Sequence, residues 1–147
     1  MPANTPPDVP GLVTLPSAHG AAETLRRLEA LLTERGVHVF ARIDHAAGAQ
    51  KVGLPLRPTQ VLLFGNPAAG TPLMQSNQTI GIDLPLKALA WEDEAGRTWL
   101  SYNRPDYLAQ RHGVHDRAAA VQAMTAGLEA LARAATGAQD APNRPAE

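Results

Sequence analysis

The sequence predicts an α+β domain, a two-layer sandwich in which a mixed or antiparallel sheet of about five strands carries long helices on one face. Three observations lead there. Two segments carry apolar residues at helical spacing, Leu25, Leu28, Leu31 and Leu32 in one and Val121, Met124, Leu128, Leu131 and Ala135 in the other. The run Val37 to Asp44 alternates as a strand does. Two further alternating runs flank Asp93-Glu94-Ala95-Gly96, which makes a hairpin and excludes a wholly parallel sheet.

Taken in order, "GLVTLPSA" (Gly11 to Ala18) reads as the first strand. A helix opens at Ser17 or His19 and runs to about Arg35. Gly36 stands where a left-handed residue ends a helix, because glycine has no Cβ to clash there. In the strand Val37 to Asp44, Val37, Val39, Ala41 and Ile43 share one face and His38, Phe40, Arg42 and Asp44 the other. "HAAGAQKVG" follows as a short helical turn or ordered loop, and the prolines of "LPLRP" keep that stretch extended. Thr59 to Asn66 is apolar without alternation, as in a strand covered on both faces. "PAAGTPLMQSN" is a short helix with Pro67 near its start, and "TIGIDLP" a connection. After the hairpin, a short helical segment begins at Pro105 and a last helix spans about Asp116 to Ala135. A strand-helix-strand start favours a right-handed crossover. Residues 11–136 form one domain in this reading, and the proline-rich or polar stretches 1–10 and 137–147 are disordered tails.

Composition narrows the function classes. The 147 residues include 13 Lys+Arg against 14 Asp+Glu, so no basic field calls for nucleic acid. Cysteine is absent, which removes disulfides, thiol nucleophiles and cysteine metal sites, in keeping with a cytoplasmic protein. The first residues lack the basic and apolar regions of a signal peptide, and no apolar run is long enough for a membrane helix. Trp91 is followed by Glu92-Asp93-Glu94, the wrong surroundings for stacking nucleic-acid bases.

The stretch "VLLFGNPAAGT" has the glycine frame of a phosphate-binding loop in Gly65 and Gly70. Its lysine position holds Thr71 and its hydroxyl position Pro72, and proline also deletes a backbone N–H that a phosphate nest would use. The segment reads better as a strand-to-helix turn, with Asn66 capping a helix that starts at Pro67.

The segments "TLRRLEALLTERGVHVFARIDH", "RP…VLLFGNP", "IGIDLPLKALAWED" and "Y…P…YLA" occur in that order over about residues 12–112. In this series the chain resembles the bacterial and archaeal family called domain of unknown function 302. The resemblance implies a compact α+β fold and a homodimer. It implies no activity, cofactor or catalytic set, so candidate residues rest on their own chemistry.

His45 follows Asp44 at a strand end, where an imidazole titrating near neutrality could act as general acid or base, with Asp44 or Asn103 orienting it. Asp44 or His45 as a helix cap explains the same residues without catalysis. Asn66, Thr71, Gln75 and Asn103 fall at or just after strand ends, as readers of a small polar ligand would, with Lys51 and Arg57 to supply positive charge. Turn and capping chemistry is the structural explanation of that group. His112 and His115 are three apart beside Asp116, a weak metal pair interrupted by Gly113, and a polar hinge serves as well. No cofactor is required by the sequence. The reading is a dimeric small-molecule binding or sensing domain with a polar pocket near His45 and the Asn66 loop. The alternatives are a small enzyme using His45 and a dimerisation module using the apolar stripe of the last helix.

Overall fold

The computed structural model describes residues 6–137. Strands β1 (Leu12–Ser17), β2 (His38–Asp44), β3 (Thr59–Gly65), β4 (Leu86–Glu92) and β5 (Thr98–Asn103) form one sheet in the order β1-β5-β4-β3-β2, every neighbouring pair antiparallel. The helices are α1 (Ala21–Glu34), α2 (His45–Lys51), α3 (Pro67–Ser76), α4 (Pro105–Arg111) and α5 (Ala118–Thr136). The segment expected to be a plain connection is a 3₁₀ helix, Gln78–Asp83, whose first turn is fixed by Asn77 Oδ1 accepting from the Thr79 N–H. The α+β architecture holds. Of the tails expected at 1–10 and 137–147, residues 1–5 and 138–147 lie outside the described residues, and Val9 accepts a backbone hydrogen bond from Leu12.

The opening strand-helix-strand unit spans the full width of the sheet. β1 and β2 point the same way but occupy opposite edges, because β5 takes the place beside β1. Helix α1 therefore crosses the whole sheet, touching β2, β3, β4 and β5. It also starts later than expected. Gly20 is its N-cap and makes no side-chain cap, while the Ser17 hydroxyl accepts from the His19 N–H and pairs with Thr24.

Helices α1 and α5 bury the core with one face of the sheet: Leu25, Leu28 and Leu32, then Leu128, Leu131, Ala132 and Ala135, against Leu62, Phe64, Ala88, Ala90, Leu100 and Tyr102. The stripe on α5 is thus intramolecular core, and the reading of it as a partner surface is overturned. Arg27 of α1 donates to the carbonyls of Ala134 and Ala135, which closes the last turn of α5. A smaller cluster of Leu73, Ile80, Leu108, Ala109, Val114 and Val121 packs α3, the 3₁₀ helix and α4 against the start of α5.

Strand register assigns the other face. Directly opposed residues share a side of the sheet, so Ala41 joins Leu63, and Ile43 joins Val61, Leu89, Ser101 and Thr14, on the side away from α1. A bulge at Phe40 between Val39 and Ala41 breaks the expected alternation. Val39 lies opposite Phe64 on the helix side, whereas Ala41 and Ile43 turn to the open side. The strand Thr59–Gly65 is correspondingly not covered on both faces. Leu62 and Phe64 are fully buried, while Val61 and Leu63 remain half-buried. The hairpin turn is held by Asp93, whose Oδ1 accepts from the Ala95 and Arg97 N–H groups and whose Oδ2 accepts from Trp99 Nε1, with Gly96 at φ +83°.

Candidate functional site

Two concave regions stand out, one on each side of the sheet. The first lies at the end of β3 under the Asn66 loop, between α3, the 3₁₀ helix and α5, with a volume of about 440 Å³. Asn66 reaches it by folding rules visible locally. β3 ends at Gly65, the Asn66 side chain accepts from the Ala68 N–H, and Pro67 occupies the first turn where no N–H is missed. Phe40, Phe64, Leu84, Met74, Met124 and Leu128 form apolar walls, and Asn66 and Thr71 are the polar side chains in the lining. The pocket expected to be polar is therefore apolar with a polar mouth.

The second region, about 570 Å³, lies over the open face of the sheet. Ile43, Val61, Leu63 and Leu89 make its floor, and His45, Lys87, Ser101 and Asn103 supply polar groups. Ser101 Oγ accepts from Trp91 Nε1 at 2.9 Å and pairs with Thr14 Oγ1 at 2.8 Å. Trp91 itself stacks on Trp99 with ring centroids 6.3 Å apart.

The wall of the first cleft is latched by a polar hub. His112, its side chain 9% exposed, has Nε2 2.6 Å from Asp83 Oδ2 and Nδ1 2.9 Å from Thr79 Oγ1. The carboxylate accepts, so Nε2 carries the proton. Asn77 Nδ2 donates to the His112 carbonyl, Arg111 to Asp83 and Ser76 to Asp116. Burial pushes the Asp83 carboxyl up, but the His112 hydrogen bond and the Arg111 charge outweigh it and hold Asp83 below the usual carboxylate range. The weak metal candidate, His112 with His115, is not assembled among the described residues. His112 has both ring nitrogens engaged, and among the described residues no three His, Asp or Glu groups converge on a metal position.

The structure divides the residues singled out from the sequence. Asn66 and Thr71 line the first cleft, His45 and Asn103 the second, so the single pocket expected at His45 and the Asn66 loop is two sites. Lys51, Arg57 and Gln75 line neither. Lys51 ends α2, Gln75 is exposed on α3, and Arg57 Nε donates to the Glu92 carbonyl. Asp44 caps α2 by accepting from the Ala47 N–H, so it does not orient His45. The residues not foreseen are Lys87, Gly127 and the Asp83–His112–Thr79 hub. Gly127 was visible as a glycine inside an Ala-rich helix, whereas the hub joins positions about thirty apart and leaves no local pattern.

A profile of the family described as "Domain of unknown function DUF302" matches residues 13–132. The chain belongs to the DUF302 family. A DUF302 protein of known structure, the "uncharacterized conserved protein DUF302 from Bacillus stearothermophilus", superposes with a TM-score of 0.68 over 88% of this chain and 98% of the other at 24% identity, which supports the fold alone. Curated relatives carry a different name. "Fluoride-specific ion channel FluC 1" of Brucella suis is 48% identical over 128 residues, covering 86% of this chain and 50% of that protein. "Fluoride-specific ion channel FluC 2" of Brucella melitensis matches at 48% over 47% of its length. The DUF302 chain thus spans about half the length of these relatives. None of its described helices is long and apolar enough to cross a membrane.

Proposed function

We propose that the chain is a small-molecule-binding sensor domain and that the cleft under the Asn66 loop is its site. The observation that carries this reading is Gly127. It sits in the interior of α5 and lines the cleft, and a Cβ there would meet nothing within 4 Å. Glycine in a helix interior costs about 1 kcal/mol relative to alanine, and no backbone approach repays it here. Its effect is to leave room, as Gly65, Ala69 and Gly70 do on the opposite wall. The volume falls in the range of about 300–1,000 Å³ typical of small-molecule pockets. The apolar walls and uncharged polar mouth fit a largely apolar, uncharged ligand with one hydrogen-bonding end, rather than the small polar ligand expected first.

Gly127→Leu tests the assignment with the neutral dye Nile red as probe. The variant should be at least as stable as the parent in urea, because it gains helix propensity and fills open space. Its dye affinity should fall at least tenfold. Equal affinity in the two proteins, or no dye binding by the parent, removes this site.

A second reading concerns the partner and rests on the Brucella relatives. We infer that conduction in those proteins belongs to the half this chain does not match, and that the DUF302 half acts beside it as a regulatory domain. Support comes from the half-length match and from the lack of a membrane-crossing helix among the described residues. Fluoride efflux from vesicles holding the Brucella suis protein should change when its DUF302 half is deleted while protein insertion stays constant. Unchanged efflux sinks the regulatory reading.

A further inference from the structure

The open face of the sheet carries a charge that the fold leaves unanswered. Lys87 lies opposite Leu63 on β4 and lines the concavity over that face. Its Nζ has a single contact, a 3.3 Å hydrogen bond to the Pro85 carbonyl, and no carboxylate belongs to the lining. Asn103 precedes Arg104 at the end of β5, and the neighbouring Ala88–Tyr102 pairing puts it beside Lys87 on the same face. No described side chain hydrogen-bonds its amide. An ammonium without a counter-ion and an amide without a partner therefore sit together at one end of an apolar floor.

The floor runs away from them. Ile43, Val61 and Leu89 form the next rung, and Trp91 and His45 lie beyond. Strands are about 4.8 Å apart and two residues along a strand span about 6.7 Å. These spacings put Lys87 and His45 about 16 Å apart at opposite corners of the face. A ligand matched to this layout is elongated, anionic at one end only and apolar along its length. A carboxylate head suits the pair best. Its two oxygens can take one hydrogen bond from the ammonium and one from the amide, and a partner charge is what a half-buried lysine on an apolar surface lacks.

We propose that this face binds an amphipathic monocarboxylate, its head at Lys87 and Asn103 and its chain over Ile43, Val61, Leu63 and Leu89. This site is separate from the cleft under the Asn66 loop, which has no charged group in its lining. The proposal does not depend on that cleft being used.

The probe is 11-(dansylamino)undecanoic acid, titrated by fluorescence into the full chain, with light scattering to give the oligomeric state. The parent should bind it one to one. Lys87→Gln, which keeps the stem and removes the charge, should weaken binding at least tenfold. The methyl ester of the probe should bind the parent as weakly as the acid binds Lys87→Gln. Gly127→Leu should bind like the parent. Three results overturn the proposal. One is loss of binding in Gly127→Leu but not in Lys87→Gln, which places the probe in the other cleft. Another is equal affinity for acid and ester. The third is a parent dimer that ignores the probe and becomes a folded monomer on Leu89→Glu, which makes a second copy of the chain the occupant of the face. Folding of each variant is checked by its urea midpoint, so that lost binding and lost structure are told apart.

Discussion

Leu25→Asp is expected to leave no folded protein under native conditions. Leu25 is fully buried in the middle of α1, packed among residues of α5 and the sheet. Truncating a core leucine costs about 2–5 kcal/mol. Leaving an unpaired carboxylate in its place adds several kcal/mol more, unless the group protonates or the core opens to water. Together these rival the whole stability of a small domain, about 5–15 kcal/mol. The circular-dichroism spectrum of the variant should lack its helical signal, and urea should produce no cooperative transition. A cooperative transition with a near-parental midpoint would mean that α1 does not form the core described above.

Gly11→Ala is the second large effect, and it acts through one methyl group. Gly11 has φ +76°, a conformation that costs an L-residue roughly 1–2 kcal/mol. A Cβ built there falls 2.3 Å from Cγ of Tyr107. Tyr107 belongs to α4 and Gly11 leads into β1, while the Gly11 carbonyl accepts from the Arg104 N–H just before α4. The methyl group thus presses apart the two segments that this hydrogen bond joins. A loss of about 3 kcal/mol or more in urea unfolding is expected, the size reserved for strain or clash at a special position. Tyr107→Ala alone should also destabilise, by lost packing. In the double variant the costs should add to much less than their sum, because the clash has gone. Simple additivity would assign the whole effect to backbone conformation.

The parts of the fold legible in the sequence are those whose signal is local. The leucines of α1, the stripe of α5 and the Asp93–Gly96 turn each announce themselves within a few residues, and each is where its pattern put it. The strand Thr59–Gly65 misled because Val61 and Leu63 look like core. Their apolarity serves an open face, which periodicity cannot distinguish from a buried one. Phe40 misled because a bulge adds one residue and reverses the side of everything after it. At the candidate sites, Asn66 was legible as the cap at a strand end. Lys87 was not, since a lone lysine in a hairpin strand looks like any solvated charge until strand register sets it on an apolar face without a counter-ion. Gln75 follows a strand end in sequence and Arg57 offers a positive charge, but side-chain direction takes both elsewhere.

The pairing of β1 with β5 has a bearing on how the chain reaches its native state. Strands β2 to β5 are sequential neighbours and can zip up one after another, whereas Leu12 waits for Asn103 and Ser17 for Thr98. Closing so long a loop is entropically slow. During synthesis the first strand made is the last to find its place, and until then β5 presents an unsatisfied edge of backbone donors and acceptors. In a dilute cell the chain's own β1 fills that edge. In a crowded refolding mixture another molecule's β1 can fill it equally well, with the same hydrogen bonds, and the product is a pair of chains that have exchanged their first strands.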